Sequence, residues 1–368
     1  MREGAPGARY VWEEHFLEAV EHTTLVNLGG LVIGLVFGIV GRRSGFCLTR
    51  GLQRCFQAGD GGKLRTFALA VVTALVGSQL LASLGVIDLG RTHYLAPEFS
   101  WLLVPLGGVL FGYGMVMANG CGARAAVLLG GGNLRSFVVL TCLGVAAFMA
   151  LTGVFAGWRL ALAEATGLRL ALGAGLHGWL ASAGLPELLA RWLMVLVLAI
   201  PLLVYVFSDQ GYRHRRQEWA AGILVGLLVP AGWWVTGSLG ADDFDPVPVV
   251  SLTFVAPIGD GIQYLMLASG TDLSFGVTVV AGVLLGSLAT ALVTGSFQLE
   301  GFPSPQRMLR AMGGGALMGI GGALALGCSI GQGITGLSTL ALPSLLAASG
   351  IVVGALVGLR GPARLPAL

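Results

Sequence analysis

Nine apolar stretches without an internal charge set the terms for this chain. They run roughly over 25–41, 66–87, 102–119, 136–157, 192–207, 219–237, 274–296, 311–327 and 339–359. Every Asp, Glu, Lys and Arg falls between them or at their edges. A hydrocarbon core of about 30 Å needs about 20 predominantly apolar residues for one helical crossing. Three stretches are slightly short and are expected to tilt little or to end in re-entrant segments. Composition agrees: 11% of residues are charged and mean hydropathy is +0.84, against about 25% charge in a soluble domain. So few charges cannot cover a globular surface. The expected fold class is an all-α polytopic membrane protein with about nine transmembrane helices, supplemented by short re-entrant or broken helices.

Charge placement sets the expected orientation. The segments at 42–65, 120–135, 208–218 and 297–310, with the C-terminus, hold 15 of the 21 Lys and Arg. The opposite side holds 14 of the 18 acidic residues, including Asp242, Asp243 and Asp245. The positive-inside rule makes the first side cytoplasmic, with the N-terminus outside and the C-terminus inside. That arrangement requires an odd number of crossings, as nine is. Residues 1–24 carry Glu3, Glu13, Glu14, Glu18 and Glu21 and lack the basic and apolar regions of a signal peptide. Tyr10 to Val20 reads as a short amphipathic helix at the membrane surface.

The chain repeats itself. Residues 107–121, GGVLFGYGMVMANGC, and 314–328, GGALMGIGGALALGC, are identical at eight of fifteen positions at an offset of 207. The shared residues of the first run are Gly107, Gly108, Leu110, Gly112, Gly114, Ala118, Gly120 and Cys121. Gly30, Gly34, Leu35 and Gly45 echo more weakly in Gly222, Gly226, Leu227 and Gly237, and Gly77-Ser78 in Gly286-Ser287. Crossings one to four thus align with six to nine, the fifth being a bridge. The first runs inward and the sixth outward, so the halves are inverted, as in many transporters whose site lies at the repeat interface. The expected organisation is 1–24 extracytoplasmic segment, 25–157 first repeat, 158–218 connecting region, 219–359 second repeat and 360–368 cytoplasmic tail.

Each Gly-Cys opens a short interrupted segment, GCGARAAVLLGGGNLRS (120–136) and GCSIGQGITGLSTLALPS (327–344). Both are too short to span and too apolar for ordinary loops, which predicts broken or re-entrant helices. Such backbone survives at membrane depth where protein buries it or water reaches it. Its free amides can hold an anion without a fixed cation in the bilayer. Cys121 and Cys328 stand at the openings of these segments, with Gly120, Gly122, Gly327, Ser329, Gly331, Gln332 and Gly333 around them. Arg124 is placed to draw an anion toward them. Cys47, in RRSGFCLTR, is a third candidate, although the weak alignment pairs it with Leu239. Cys142 reads as packing and Cys55 as incidental.

Other chemistries find no support. The five His, at 15, 22, 93, 177 and 214, lie outside the crossings, and no Asp or Glu lies within one, so neither a nucleophile–base pair nor a proton relay is indicated. Asp260 and Gln263 read as cap and surface groups. The five Cys include no CxxC pair and suggest neither a disulfide framework nor a metal site. Gly331, Gly333 and Gly336 spell GxGxxG, but no strand precedes them and no acidic residue follows at the required distance. No enzymatic role, cofactor or nucleic-acid partner is expected.

SGFC at 44–47, GCGAR at 120–124 with GNLRS at 132–136, and GCSIGQGITGLS at 327–338 resemble the signature regions of the YeeE/YedE family of sulfur-compound transporters. The resemblance extends from about residue 25 to 359. It implies that Cys47, Cys121 and Cys328 line a narrow path in an hourglass-shaped bundle, where thiosulfate passes by brief S–H···S contacts. It also implies a bacterial inner-membrane location and a TusA-like sulfur-carrier partner, which for this chain would be a separate protein. Some relatives are associated with selenium, so sulfite, sulfide, polysulfide and selenium species remain rival substrates. A membrane sulfurtransferase carrying a Cys persulfide, or a purely structural subunit, are the alternatives outside transport.

Overall fold

The computed structural model describes residues 6–170, 173–241 and 247–361, with side chains from His22 onward. The run Asp242, Asp243 and Asp245 and most of the expected tail lie outside the described residues. The helices are α1 (Pro6–Ser44), α2 (Leu48–Ala58), α3 (Gly62–Ser83), α4 (Leu103–Met117), α5 (Gly122–Gly130), α6 (Leu134–Leu151), α7 (Ala156–Ala165), α8 (Leu176–Ser182), α9 (Glu187–Phe207) and α10 (Gln210–Arg213). They continue with α11 (Arg216–Trp234), α12 (Val255–Leu267), α13 (Phe275–Val293), α14 (Pro305–Leu324) and α15 (Leu342–Arg360). A small antiparallel pair joins β1 (Glu98–Ser100) to β2 (Gly167–Arg169).

Eight helical segments among the described residues are long and apolar enough to cross a membrane. The ninth expected crossing falls on α14, which is 20 residues long but does not meet the same hydropathy standard. Six glycines stand where apolar side chains would raise its hydropathy, and Arg307 and Arg310 occupy its first turns. It packs instead between α4 and α6. The expected separate surface helix at Tyr10–Val20 is continuous with the first crossing, a single helix of 39 residues. At 1.5 Å per residue it exceeds the hydrocarbon thickness by roughly twofold.

The two halves exchange partners reciprocally. Helix α1 packs on α13 and its repeat mate α11 on α3, while α4 packs on α15 and its mate α14 on α6. Gly30, Gly34 and Gly38 meet α13 at Phe275, Val279 and Val283, so α1 and α13 run parallel. Across the centre, Gly107 meets Gly321 and Gly114 meets Gly314, so α4 and α14 run antiparallel. At the offset of 207 each of these pairs is the image of the other. The inverted repeat read from the sequence is therefore present in the packing. Helix α9 is the bridge, lying against α3.

Glycine sets how closely these helices approach. A Cβ on Gly112 would run into the carbonyl oxygen of Ile351, and one on its mate Gly319 into that of Leu143. This is the small-residue mode of membrane helix packing, where little hydrophobic force between helices leaves close van der Waals contact to hold them.

At the basic end, ion pairs tie the α2–α3 turn to α11 and its approach. Lys63 meets Glu218 at 3.2 Å, Arg215 meets Asp60 at 3.3 Å and Arg65 meets Asp209 at 3.0 Å. The Gly62 amide, and after it the Arg215 guanidinium, hold the Asp60 carboxyl below its ordinary value. A carboxylate depressed in the folded state stabilises above its unfolded pKa, about 3.9, and loses that contribution as pH falls through the folded value. Asp60→Asn should therefore lower the melting temperature slightly at pH 7, by less than about 1 kcal/mol of stability for so exposed a pair. The wild-type and variant melting temperatures should converge as pH falls through the lowered folded value, where the wild-type carboxylate is itself protonated.

Candidate functional site

All three candidate cysteines are buried, Cys47 and Cys121 at 3% exposure and Cys328 at 1%. They occupy one kind of position. Cys47 is the N-cap of α2, Cys121 is the N-cap of α5, and Cys328 precedes the π-helical turn Gly331–Gly336. Each sulfur faces the backbone amide three residues on, that of Arg50, Arg124 and Gly331 respectively. At Cys328 this is a hydrogen bond of 3.2 Å donated by the Gly331 N–H. Three sulfurs thus stand at the positive ends of short helical segments broken off inside the bundle.

The repeats build the two Gly-Cys bends alike. Asn119 and Leu326 both take the left-handed conformation, at φ 61° and 55°, and Gly120 and Gly327 follow at 159° and 158°. Asn tolerates that conformation, whereas Leu pays about 1–2 kcal/mol for it. Gln332 supports the costly copy, its Nε2 donating to the carbonyls of Ala325 at 2.6 Å and Leu326 at 3.1 Å. The α5 side instead carries Arg124, whose side chain lies over Gly120 and whose Nη1 donates to Cys47 Sγ at 3.8 Å. The halves therefore differ in charge at the same place.

Tertiary structure brings Cys47 and Cys121 face to face, with the Ser329 side chain beside Cys121. Cys328 instead neighbours Thr253 and the Phe254 backbone. This corrects the expected pairing of Cys47 with Leu239. Cys47 caps α2 and Phe254 caps α12, so Phe254 is the counterpart at the same offset of 207. The alignment of the first crossings drifts because the second repeat inserts a π turn, Val235–Leu239, and a returning loop before α12. Thr253 and Phe254 carry no signal in the sequence that could have selected them. Aromatic rings enclose this neck: Phe37 lies 6.5 Å from Phe46 and 5.3 Å from Phe254, and Phe46 lies 5.6 Å from Phe67.

The remaining candidates divide. Gly331 adjoins Thr253, and Gly333 and Ser329 border an apolar crevice with Phe67. Gly122 packs against Leu143 and Ile258. Asp260 does not act as a surface cap; it lines a cavity of about 460 Å³ with Asn27, His93 and Thr253. Cys55 lies half-exposed on α2. Cys142 touches α14 at Gly315, as packing requires. Among the described residues no His, Cys, Asp and Glu cluster could hold a metal.

Two cavities enter from opposite ends of α1 and α13 and end at residues beside the thiols. The wide one starts among Val26, Asn27 and Leu273–Gly276, where both helices begin, and ends at Thr253 beside Cys328. The other, of about 220 Å³, is lined by Asn133, Arg135, Arg307 and Arg310 and ends at Gly120 and Arg124 beside Cys121. Its rim lies where those helices finish, since Arg42 donates to the Ser296 carbonyl at 2.7 Å and Gln298 donates to the Gly131 carbonyl. Cys328 thus lies beside the inner end of one cavity and Cys121 beside that of the other, with Cys47 facing Cys121. A soft, polarisable constriction can select a small anion while binding it weakly.

The profile of a family described as sulphur transport matches residues 43–357. The chain is 26% identical over 329 residues to the thiosulfate transporter TsuA of Escherichia coli (strain K12), covering 83% of this chain and 86% of the relative. It is also 26% identical over 334 residues to the thiosulfate transporter TsuA of Spirochaeta thermophila, covering 88% and 96% respectively.

Proposed function

The chain belongs to the sulphur transport family, and from that footing we propose that it imports thiosulfate, or a closely related small inorganic sulfur anion, past Cys328, Cys121 and Cys47. The observation that carries this reading is the burial of three sulfurs at broken helices, Cys47 and Cys121 as N-caps and Cys328 before a π turn, with one cavity ending beside Cys121 and another beside Cys328. The relatives named thiosulfate transporters favour thiosulfate over the rival sulfur and selenium species. An anion arriving at the neck sheds water. In exchange it meets thiol S–H groups, which are weak donors, and inward-pointing amides. Weak contacts at successive sites let it leave as readily as it enters. Hydrogen-bonding contacts suffice for this, with no covalent step.

The proposed setting is the bacterial inner membrane, with the basic cavity on the cytoplasmic side, as the excess of Lys and Arg at that end supports. A TusA-like sulfur-carrier protein is the proposed partner on that side. The test is uptake of labelled thiosulfate into proteoliposomes, with selenite and sulfate in parallel. Thiosulfate should accumulate above protein-free vesicles and be favoured over sulfate. Uptake no faster than in empty vesicles would remove the proposal. Cys142→Ala, on the α6–α14 contact and away from the neck, should retain wild-type uptake in the same assay.

A further inference from the structure

Four guanidinium groups line the smaller cavity, those of Arg124, Arg135, Arg307 and Arg310, and no Asp or Glu lines it. Their states differ. Arg135 is engaged by Glu300 at 3.7 Å and by the Gly301 carbonyl at 2.6 Å. Arg124 points toward Cys47. Arg307 forms no ion pair among the described residues. Arg310 is the most demanding: its Nε and Nη2 are buried and donate to no group among the described residues. Buried guanidinium N–H groups without an acceptor are costly, and a planar pair such as Nε and Nη2 matches two oxygens of a tetrahedral anion. The cavity, at about 220 Å³, is several times the roughly 30 Å³ share of a water molecule and has room for such an ion.

We infer that this cavity is a second anion site, separate from the thiols, which binds a small tetrahedral dianion of the sulfate and thiosulfate type through Arg310 and Arg307. It deepens the transport reading and rests on it for the identity of the natural ligand, though the binding itself depends only on charge and shape. Its position beyond Arg124 makes it the place where an ion leaving Cys121 meets several guanidinium groups together. An ion at the thiols meets weak S–H donors and the single Arg124 guanidinium, with this larger cluster beyond them. The site would therefore draw ions out of the neck and prefer dianions to monoanions. Nothing equivalent lines the wide cavity, where His93 and Asp260 are the titratable groups.

The test uses the full chain in nanodiscs of neutral phosphatidylcholine, with Cys121→Ala as background so that passage through the neck is disabled. Labelled sulfate is the probe, because it has the shape and charge of thiosulfate without its terminal sulfur. Saturable binding of about one ion per chain is expected, weakened about tenfold or more by Arg310→Gln, equivalent to about 1.4 kcal/mol or more. Arg310→Lys should retain part of it, which separates loss of charge from misfolding. Equal sulfate binding by wild type, Arg310→Gln and Arg307→Gln would overturn the inference. So would a cavity that retains an anionic phospholipid in native mass spectrometry and takes no sulfate, since the headgroup would then be its occupant. Arginine-dependent sulfate binding in a protein that moves no thiosulfate would leave the site standing and remove the transport reading. Thiosulfate uptake without such binding would do the reverse.

Discussion

Cys121→Ala and Cys328→Ala will each bring thiosulfate uptake close to that of protein-free vesicles, while the protein inserts and elutes as wild type does. Both thiols are buried, Cys121 beside the inner end of the smaller cavity at Gly120 and Arg124 and Cys328 beside the inner end of the wide one at Thr253. Removing one thiol takes away a donor at the narrowest point and leaves a desolvated anion with nothing to replace it. Each 1.4 kcal/mol added to the barrier is a factor of about ten in rate, and loss of a full contact should cost at least that. Substitution to Ser distinguishes two origins of the effect. A hydroxyl keeps the donor but is smaller and less polarisable, so Cys121→Ser should restore part of the uptake if donation matters most. Normal uptake by both Ala variants would eliminate the cysteine path. Cys47→Ala is expected to be intermediate, because Arg124 Nη1, now 3.8 Å from that sulfur, remains to meet the ion.

Gly112→Leu or Gly319→Leu will destabilise the bundle severely, the second largest effect expected. Each glycine lies against a carbonyl of the facing helix, Ile351 for one and Leu143 for the other, and that neighbour is backbone. A flexible side chain could move aside, but a helix axis moves only with everything packed on it. Overpacking costs about 1–3 kcal/mol where side chains can shift, and more where backbone must. A lowered melting temperature and a smaller yield of monodisperse protein should follow. Since the two positions are mates in the repeat, their losses should be comparable. By contrast, Gly157→Ala, in α7 where a Cβ meets nothing within 4 Å, should be tolerated. A Gly112→Leu protein as stable as wild type would mean that α4 and α15 do not approach as described.

These two effects have different degrees of legibility in the chain. Gly112 and Gly319 could be selected from sequence, since they recur at the same offset in matched apolar runs. Their partners could not, because a repeat indicates which elements are equivalent but not which ones touch. Likewise, Cys121 and Cys328 were found from the repeat. Their neighbours are not legible there: Thr253 comes from a loop with no motif, and the insertion before α12 shifts the weak alignment so that Cys47 falls opposite Leu239 rather than Phe254. Asp260, read as a cap, lines the wide cavity instead.

The sequence by itself determined the all-helical membrane architecture, the inversion of the halves and the broken Gly-Cys segments. Each follows from local physics: a bilayer demands long apolar runs with self-satisfied backbone, and broken helices within it demand glycine. Only the tertiary structure decided that Cys47 faces Cys121, that Cys328 neighbours Thr253, and that two nitrogens of Arg310 are buried without an acceptor among the described residues. Those facts depend on which helix lies beside which, and folding brings together residues 74 positions apart at Cys47 and Cys121 and 75 apart at Thr253 and Cys328. It also decided the asymmetry of the neck. Two equivalent bends carry Arg124 in one half and Gln332 in the other, so one cavity ends in charge and the other does not. The reason is geometric: inverted repeats place matching backbone on opposite sides of the membrane, and only the side chains differ between the two faces.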